Sequence, residues 1–385
     1  MTLQSIGGTP VPWPLPGIPR ISASDNPSFS SSTMDAVGEM VCMIGRIRFA
    51  AGPGTSKTVS SSGGAVQWRS GSVTWAGTST VRVGIQDAST SAGPPARCVE
   101  DWTTGSPPYK DMVRGTDAIA SNTWITSSIG TGSRTIAHGD LVAVTWEMTV
   151  RGGSDSVTVA GLVGVTSSNA NMPLFTAKTS GAWGATVIVP NVVITCDDGT
   201  LAFLDGALPC SAVTTRSFAN NTGTADEYGN ILTPTGKWGT DELWAVVDPD
   251  GDFDLVLYSD ALNVSAPTIE QTVSVDSNIV SAANNGHFRE AVGLETLTAA
   301  AAYAVTVRPS STTAVTMIEI SVSAAGHLAG WPGGTGCYKC TRLDASGALA
   351  TDTAKRMLAG ICISQTDDGA GGGSSIGFSP VRMVA

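Results

Sequence analysis

The chain has 385 residues and a formal net charge of −11, from 21 Lys and Arg against 32 Asp and Glu. Only 14% of its residues are charged, whereas Gly, Ser and Thr supply 45, 42 and 45 positions, a third of the whole. This composition excludes a coiled coil or helical bundle, which needs Leu, Glu, Lys and Arg in bulk. The acidic balance speaks against binding a phosphate backbone, so no nucleic-acid partner is expected.

The apolar 42% is enough to build a core, which sets the chain apart from a disordered one. No window approaches eighteen consecutive apolar residues, so no membrane insertion is expected. Met1 to Pro10 carries neither the basic nor the apolar region of a secretory signal, and the expectation is a protein made in a cytoplasm and not exported by that route.

Residues 1–36 form the first segment. Pro10, Pro12, Pro14, Pro16 and Pro19 alternate with Val11, Trp13, Leu15 and Ile18. Proline fixes φ and removes a donor, so this stretch is expected to be an extended arm and cannot serve as a central strand. It either lies on its own domain or attaches to a neighbouring subunit.

Residues 37–175 read as a first β-sandwich module. Val41, Met43, Ile47 and Phe49 mark an alternating face, as do Val81, Val83 and Ile85. LVAVTWEMTV, from Leu141, reads as a strand buried on both faces. Residues 176–213 read as a connector with the short strands ATVIV, NVVIT and LAFL. Residues 214–385 read as a second module, with strands at Leu243–Val247, Phe253–Tyr258, Ala304–Val307 and Val315–Val322, then a Gly-rich DDGAGGGSS segment.

The expected fold class is therefore all-β: tandem antiparallel β-sandwich modules, jelly-roll-like, preceded by an extended Pro-rich arm. The best helix candidates are the short Thr353–Gly360 and the Ala-rich Leu297–Ala302, whose alanines could equally lead into the strand YAVTV. An internal echo links the halves. VGIQD (Val83–Asp87) resembles VLYSD (Val256–Asp260), and an identical AVT follows each, at Ala143–Thr145 and Ala304–Thr306.

Few motifs carry chemistry. Asp248-Pro-Asp-Gly-Asp-Phe-Asp254 has alternating carboxylates that could converge on Ca²⁺, but its glycine is fourth where an EF-hand needs it sixth. A Pro-Asp-Gly turn into the strand FDLVLY explains the same residues. The cysteines are Cys42, Cys98, Cys196, Cys210, Cys337, Cys340 and Cys362. Their odd number and scattered spacing fit buried thiols better than a disulfide framework, and the lone Cys337-Tyr-Lys-Cys340 lacks the further ligands zinc requires.

His138, His287 and His327 lie in turn-like contexts, and HExxH and a P-loop are absent from the sequence. No catalytic, metal or cofactor-binding residue is assigned, and ligand-binding residues stay unassigned. The ten tryptophans outnumber the eight phenylalanines. Trp146 and Trp244 lie in strand-like runs. Trp68, Trp75 and Trp102 lie among Gly and Ser, where they either plug the core, stack on sugars or fill subunit interfaces.

The stretches GGTPVPWPLPG, VRVGIQD with GDLVAVTWEMTV, LWAVVDPDGDFDLVLYSD with YAVTVRPSSTTAVT, and GHLAGWPGGTGCYKCTR together resemble a structural protein of a tailed-bacteriophage particle. The likeness is to the jelly-roll modules of fibres, spikes and head appendages. It implies a virion component made in the host bacterial cytoplasm. It also implies homo-oligomers, with a trimer favoured, contacts to other virion proteins through the N-terminal arm, and a host surface glycan as ligand. A purely structural decoration or adaptor role is the alternative, and a polysaccharide depolymerase the second. The resemblance transfers no catalytic residue.

Overall fold

The computed structural model describes residues 4–11, 28–49, 54–88, 106–163, 174–179, 182–186, 188, 191–204, 210–220, 225–234, 237–263, 265–280, 287–321, 337–343 and 346–367. Among them the chain is nearly all β, with one 3₁₀ turn at Ser277–Ile279 and no α-helix. The first strands are β1 (Gln4–Val11), β2 (Ser28–Met34), β3 (Met40–Phe49), β4 (Ser56–Ser60), β5 (Ala65–Thr74), β6 (Thr80–Asp87), β7 (Tyr109–Val113), β8 (Trp124–Ser128), β9 (Ser133–Ala137), β10 (Leu141–Val150) and β11 (Ser156–Val163). Next come β12 (Leu174–Thr179), β13 (Ala182–Thr186), β14 (Val192–Thr195), β15 (Leu201–Leu204), β16 (Ala212–Phe218), β17 (Ala225–Leu232), β18 (Lys237–Pro249), β19 (Phe253–Ser259) and β20 (Thr268–Val275). The last are β21 (His287–Leu297), β22 (Tyr303–Pro309), β23 (Val315–Ser321), β24 (Cys337–Leu343), β25 (Ser346–Asp352), β26 (Lys355–Met357) and β27 (Ala359–Asp367). The strands form two compact units. One is built on Pro27–Ser211, the other on Ala212–Ala385 together with β1.

In the N-terminal unit a twelve-stranded antiparallel sheet has the main order β2-β11-β5-β14-β15-β3-β10-β6-β7. Its long strands β3 and β5 change partners along their length. β3 pairs with β10 and β12 through its first half and with β15 through its second. β5 pairs with β14 and β8, then with β11 after a register shift. Such corners let one sheet wrap its own core. That core holds Val41, Met43, Phe49, Trp68, Val83, Val144 and Trp146. As expected from LVAVTWEMTV, Val142 to Met148 of β10 are buried without alternation, because Val142, Val144, Trp146 and Met148 enter the main core while Ala143 on the other face packs with Cys42, Ile44 and Ala88.

One expectation for this unit changes. The stretch 176–213 supplies four strands, β12 to β15 beginning at Leu174, that pair with β3, β5 and each other. It is sheet, not connector. Its apolar runs do not alternate because they are buried on both faces, as at Val192–Ile194 and Ala202–Leu204. The extended arm expected of 1–36 contributes two edge strands. β1 pairs with β27 and β2 with β11, and each ends its sheet. An edge is where a proline such as Pro10 is tolerated. Met34 is fully buried in the N-terminal core. Residues 12–27, with Trp13, lie outside the described residues.

The C-terminal unit is a β-sandwich. A seven-stranded sheet runs β1-β27-β18-β23-β16, with β21 on β18 and β26 on β23. The six-stranded sheet runs β20-β19-β22-β17-β24-β25. Leu243, Val247, Met317, Met357 and Ile361 of the first sheet meet Leu255, Leu257, Val305 and Val307 of the second. Both helix candidates are overturned. Thr353–Gly360 holds β26 and the start of β27, and its Met357 and Ala359 enter the core together with Ile361, a period of two. Leu297–Ala302 is the end of β21 and a turn, with Ala300 at φ 61.

The sequence echo corresponds to neighbouring strands in each unit. VGIQD in β6 pairs with AVT in β10, and VLYSD in β19 pairs with AVT in β22. The registers differ by one residue: Thr145 faces Gly84, whereas Thr306 faces Val256, the counterpart of Val83. A one-residue slip exchanges the faces of a strand.

Gly229 sits mid-strand in β17, where an added Cβ would fall on the Val305 carbonyl oxygen and 2.6 Å from the Thr306 Cα. Backbone cannot yield as a flexible side chain does. Gly229→Ala should therefore lose at least about 2 kcal/mol of stability in urea unfolding, whereas Gly184→Ala, whose added Cβ would lie 3.9 Å from its nearest neighbour, the Ala177 carbonyl oxygen, should lose less. Equal losses would contradict the close strand approach.

Candidate functional site

The residues singled out in the sequence take mostly structural places. The Asp248–Asp254 motif is the turn that carries the chain from β18 in one sheet to β19 in the other. Asp252 accepts bonds from the Ser277 amide at 2.9 Å and its hydroxyl at 3.0 Å. Asp254 accepts from Ser274 Oγ at 2.8 Å and Arg308 at 3.0 Å. Two of the four carboxylates are thereby engaged by protein donors. Among the described residues no three His, Cys, Asp or Glu side chains gather as metal ligands.

Cys337 and Cys340 lie three apart on β24. Cys42, Cys196, Cys210 and Cys340 are buried. Burial, with Asp198 and Asp197 nearby, pushes the Cys196 thiol up to about 12, far from a reactive thiolate. His138 lies in the turn between β9 and β10 and its Nδ1 accepts from the Phe49 amide at 3.3 Å. His287 begins β21, and His327 lies outside the described residues.

Trp146 and Trp244 are fully buried, as expected from their strands, and so is Trp68. The rings of Trp68 and Trp146 meet edge to face with centroids 5.9 Å apart. Trp75 is half-buried against the same core. Trp102 lies outside the described residues.

The chemistry-bearing groups that the structure does gather are in the C-terminal sandwich, and no motif announced them. The first cluster lies between the sheets. Asn230 of β17 is fully buried. Its Nδ2 donates to the carbonyls of Met357 at 2.6 Å and Ala359 at 2.8 Å, and its Oδ1 accepts from the Met357 amide at 2.9 Å. One side chain of the six-stranded sheet thus bonds three backbone groups of the seven-stranded one.

Beside it Lys339, the cross-strand partner of Asn230 in β24, reaches the opposite sheet to donate to Glu319 of β23. Arg216 of β16 donates to the same carboxylate at 2.7 Å, and Lys355 pairs with it at 3.2 Å. Glu319 is 2% exposed. Burial would push its carboxyl up, but hydrogen bonds from Arg216, Lys339 and Lys355 outweigh it and lower the pKa to about 2. The Lys339 ammonium also lies 5.2 Å from the centroid of the Tyr228 ring, which in turn packs against Phe218.

The second cluster lies on the other face of the six-stranded sheet. Asp254, Arg308, Glu227 and Arg342 stand on the adjacent strands β19, β22, β17 and β24, alternating in sign. Glu227 is fully buried and accepts bonds from the hydroxyls of Tyr258, at 2.6 Å, and Thr306. Arg342 donates to Tyr258 Oη at 3.2 Å and stands 3.9 Å from Glu227. Burial first, and then the Glu227 carboxylate, raise the pKa of the Tyr258 phenol. A neutral phenol and a carboxylate flanked by two guanidiniums make a buried cross-strand network, in which Glu227 Oε1 takes both hydroxyl bonds. The two carboxylates, Glu227 and Asp254, have an arginine between them rather than a substrate-sized gap.

The sequence signal that could have found the first cluster is parity. Tyr228, Asn230 and Leu232 point one way along β17, and Val315, Met317 and Glu319 point one way along β23. A polar residue at an inward position of an otherwise apolar alternation marks a buried bond.

No protein-family model matches the chain, and no curated protein matches it.

The pH response of the Glu319 cluster has a defined sign. A carboxyl lowered in the folded state stabilises the fold fully above its ordinary value of 4.5 and loses that contribution as pH falls toward 2. Unfolding free energy should therefore drop between pH 5 and pH 2.5. Glu319→Gln should cost about 2–3 kcal/mol at pH 7 and flatten that part of the curve. A wild-type curve already flat there would contradict the ion cluster.

Proposed function

We propose that the chain is a structural, non-catalytic component of a tailed-bacteriophage particle, a self-associating appendage that engages a host surface glycan. The observation that supports this reading most is how the buried ionisable side chains are used. Asp155, Glu227 and Glu319 are each bonded by partners on neighbouring strands or turns, and so is the half-buried Asp254. That is the economy of a durable β scaffold, in which polar groups hold sheets together rather than attack a substrate.

The exposed apolar side chains favour assembly from copies. Leu262, Ile269, Ile279 and Leu294 are each more than half exposed in the C-terminal unit. Ile269 and Leu294 lie on β20 and β21, strands with one sheet neighbour each. Apolar side chains at open strand edges are sites where protein surfaces associate. The attachment and glycan contacts follow from the sequence resemblance.

Light scattering of the purified chain tests the assembly. A stable oligomer, with a trimer favoured, is expected, and Ile269→Lys with Leu294→Lys should shift it toward monomer. A glycan array should then give saturable binding without release of reducing sugar. A monomer that binds no glycan would overturn the reading, and reducing-sugar release would replace it with a depolymerase.

A further inference from the structure

We propose that Lys339 and Asn230 join through a spontaneous isopeptide bond, so that the C-terminal sandwich carries a covalent cross-link between β24 and β17. The bond lies within one chain and needs no partner.

The two residues face each other on neighbouring antiparallel strands. Facing side chains project from the same face of a sheet with Cβ atoms about 4.5–5.5 Å apart, within the span of a lysine stem. Here that face is the inner one. Asn230 is fully buried, and the Lys339 side chain is 12% exposed. Both tips work at one place on the opposite sheet. Lys339 Nζ donates to Glu319, and Glu319 stands opposite Met357, the residue whose amide and carbonyl Asn230 bonds. The Tyr228 ring, packed on Phe218, lies 5.2 Å from Nζ. An amine, a carboxamide and a carboxylate are thus gathered in a nearly dry site, and holding reactants together in this way replaces a chance encounter.

The charges favour the same outcome. Arg216 and Lys355 pair with Glu319 as Lys339 does, and Lys355 also lies 3.9 Å from Asp352. Three cations therefore share two carboxylates. Acylating Lys339 removes one positive charge and leaves two against two, so Glu319 keeps Arg216 and Lys355 and is not stranded as a buried unpaired charge.

The reaction balances without oxidant or cofactor. Lys339 first gives a proton to water at its exposed flank. The neutral Nζ then adds to Asn230 Cγ, forming the C–N bond, while Oδ1 takes the developing negative charge against the Met357 amide it already accepts from at 2.9 Å. A proton passes from Nζ to Nδ2 by way of the Glu319 carboxylate. The Cγ–Nδ2 bond breaks and ammonia leaves. An amine and a primary amide become a secondary amide and NH₃. Oδ1 stays on the Met357 amide, and the new N–H serves the carbonyls that Nδ2 served before.

Intact mass spectrometry of the purified full chain tests the bond. Allowing for removal of Met1, the wild type should be lighter than its sequence by one ammonia, about 17 Da. Trypsin does not cut after an acylated lysine, so a branched peptide should join residues 217–237 to residues 290–342. Lys339→Arg keeps the charge, removes the amine and should restore the full mass. Glu319→Gln should slow bond formation by about 100-fold or more. Asn230→Asp, if it reacts, should lose water in place of ammonia, about 18 Da. A wild-type chain of full mass with unbranched peptides would overturn the proposal without any variant having to fold. Ammonia loss confined to an unbranched peptide would overturn it equally, because the loss would then belong to another asparagine.

Discussion

The C-terminal sandwich depends on a side chain that spans its two sheets. Asn230 leaves the six-stranded sheet and satisfies the Met357 amide and the Met357 and Ala359 carbonyls on the other side. Those groups lie where β26 gives way to β27 at Leu358, in strands that carry the core residues Met357, Ala359 and Ile361. Removing the carboxamide would leave three buried backbone groups to find new partners, and such groups are expensive to leave unpaired. The Glu319 cluster repeats the device one residue pair away, with Lys339 reaching across from β24. Apolar packing supplies most of the cohesion of a sandwich, but it is non-directional. The polar bridges fix which strand faces which.

The N-terminal unit uses the same device inside a loop. Asp155 is 1% exposed and accepts bonds from the amides of Ala76 and Gly77 and from Ser79 Oγ. Burial would raise its carboxyl, but those donors outweigh burial and hold it below the ordinary carboxylate range. In a chain with only 14% charged residues, the few buried charges serve as joints.

Much of the architecture was legible because it rests on local pattern. Proline and glycine at 249 and 251 marked a turn, and LVAVTWEMTV marked a central strand. What stayed hidden is non-local. The strands at 174–204 looked like a connector because four to six residues carry no sign of their partners, β3 and β5, more than a hundred positions earlier. Trp68 lies among Gly and Ser in the sequence, yet it fills the core, with its Nε1 bonded to Ser127 Oγ at 3.0 Å. Asn230 and Met357 are 127 residues apart, and no spacing rule links them. The connector was misjudged because a strand short of side-chain pattern is recognised by what it pairs with.

The central claim is that side-chain bonds between the sheets hold the C-terminal unit in one arrangement. Native-state hydrogen exchange at the Met357 amide tests it most directly, because that hydrogen is bonded to Asn230 Oδ1. In the wild-type chain it should exchange only through global unfolding, and Asn230→Ala should speed it by about 100-fold or more. Exchange at the rate of an exposed strand edge in the wild type, or a rate unchanged by the substitution, would contradict the account.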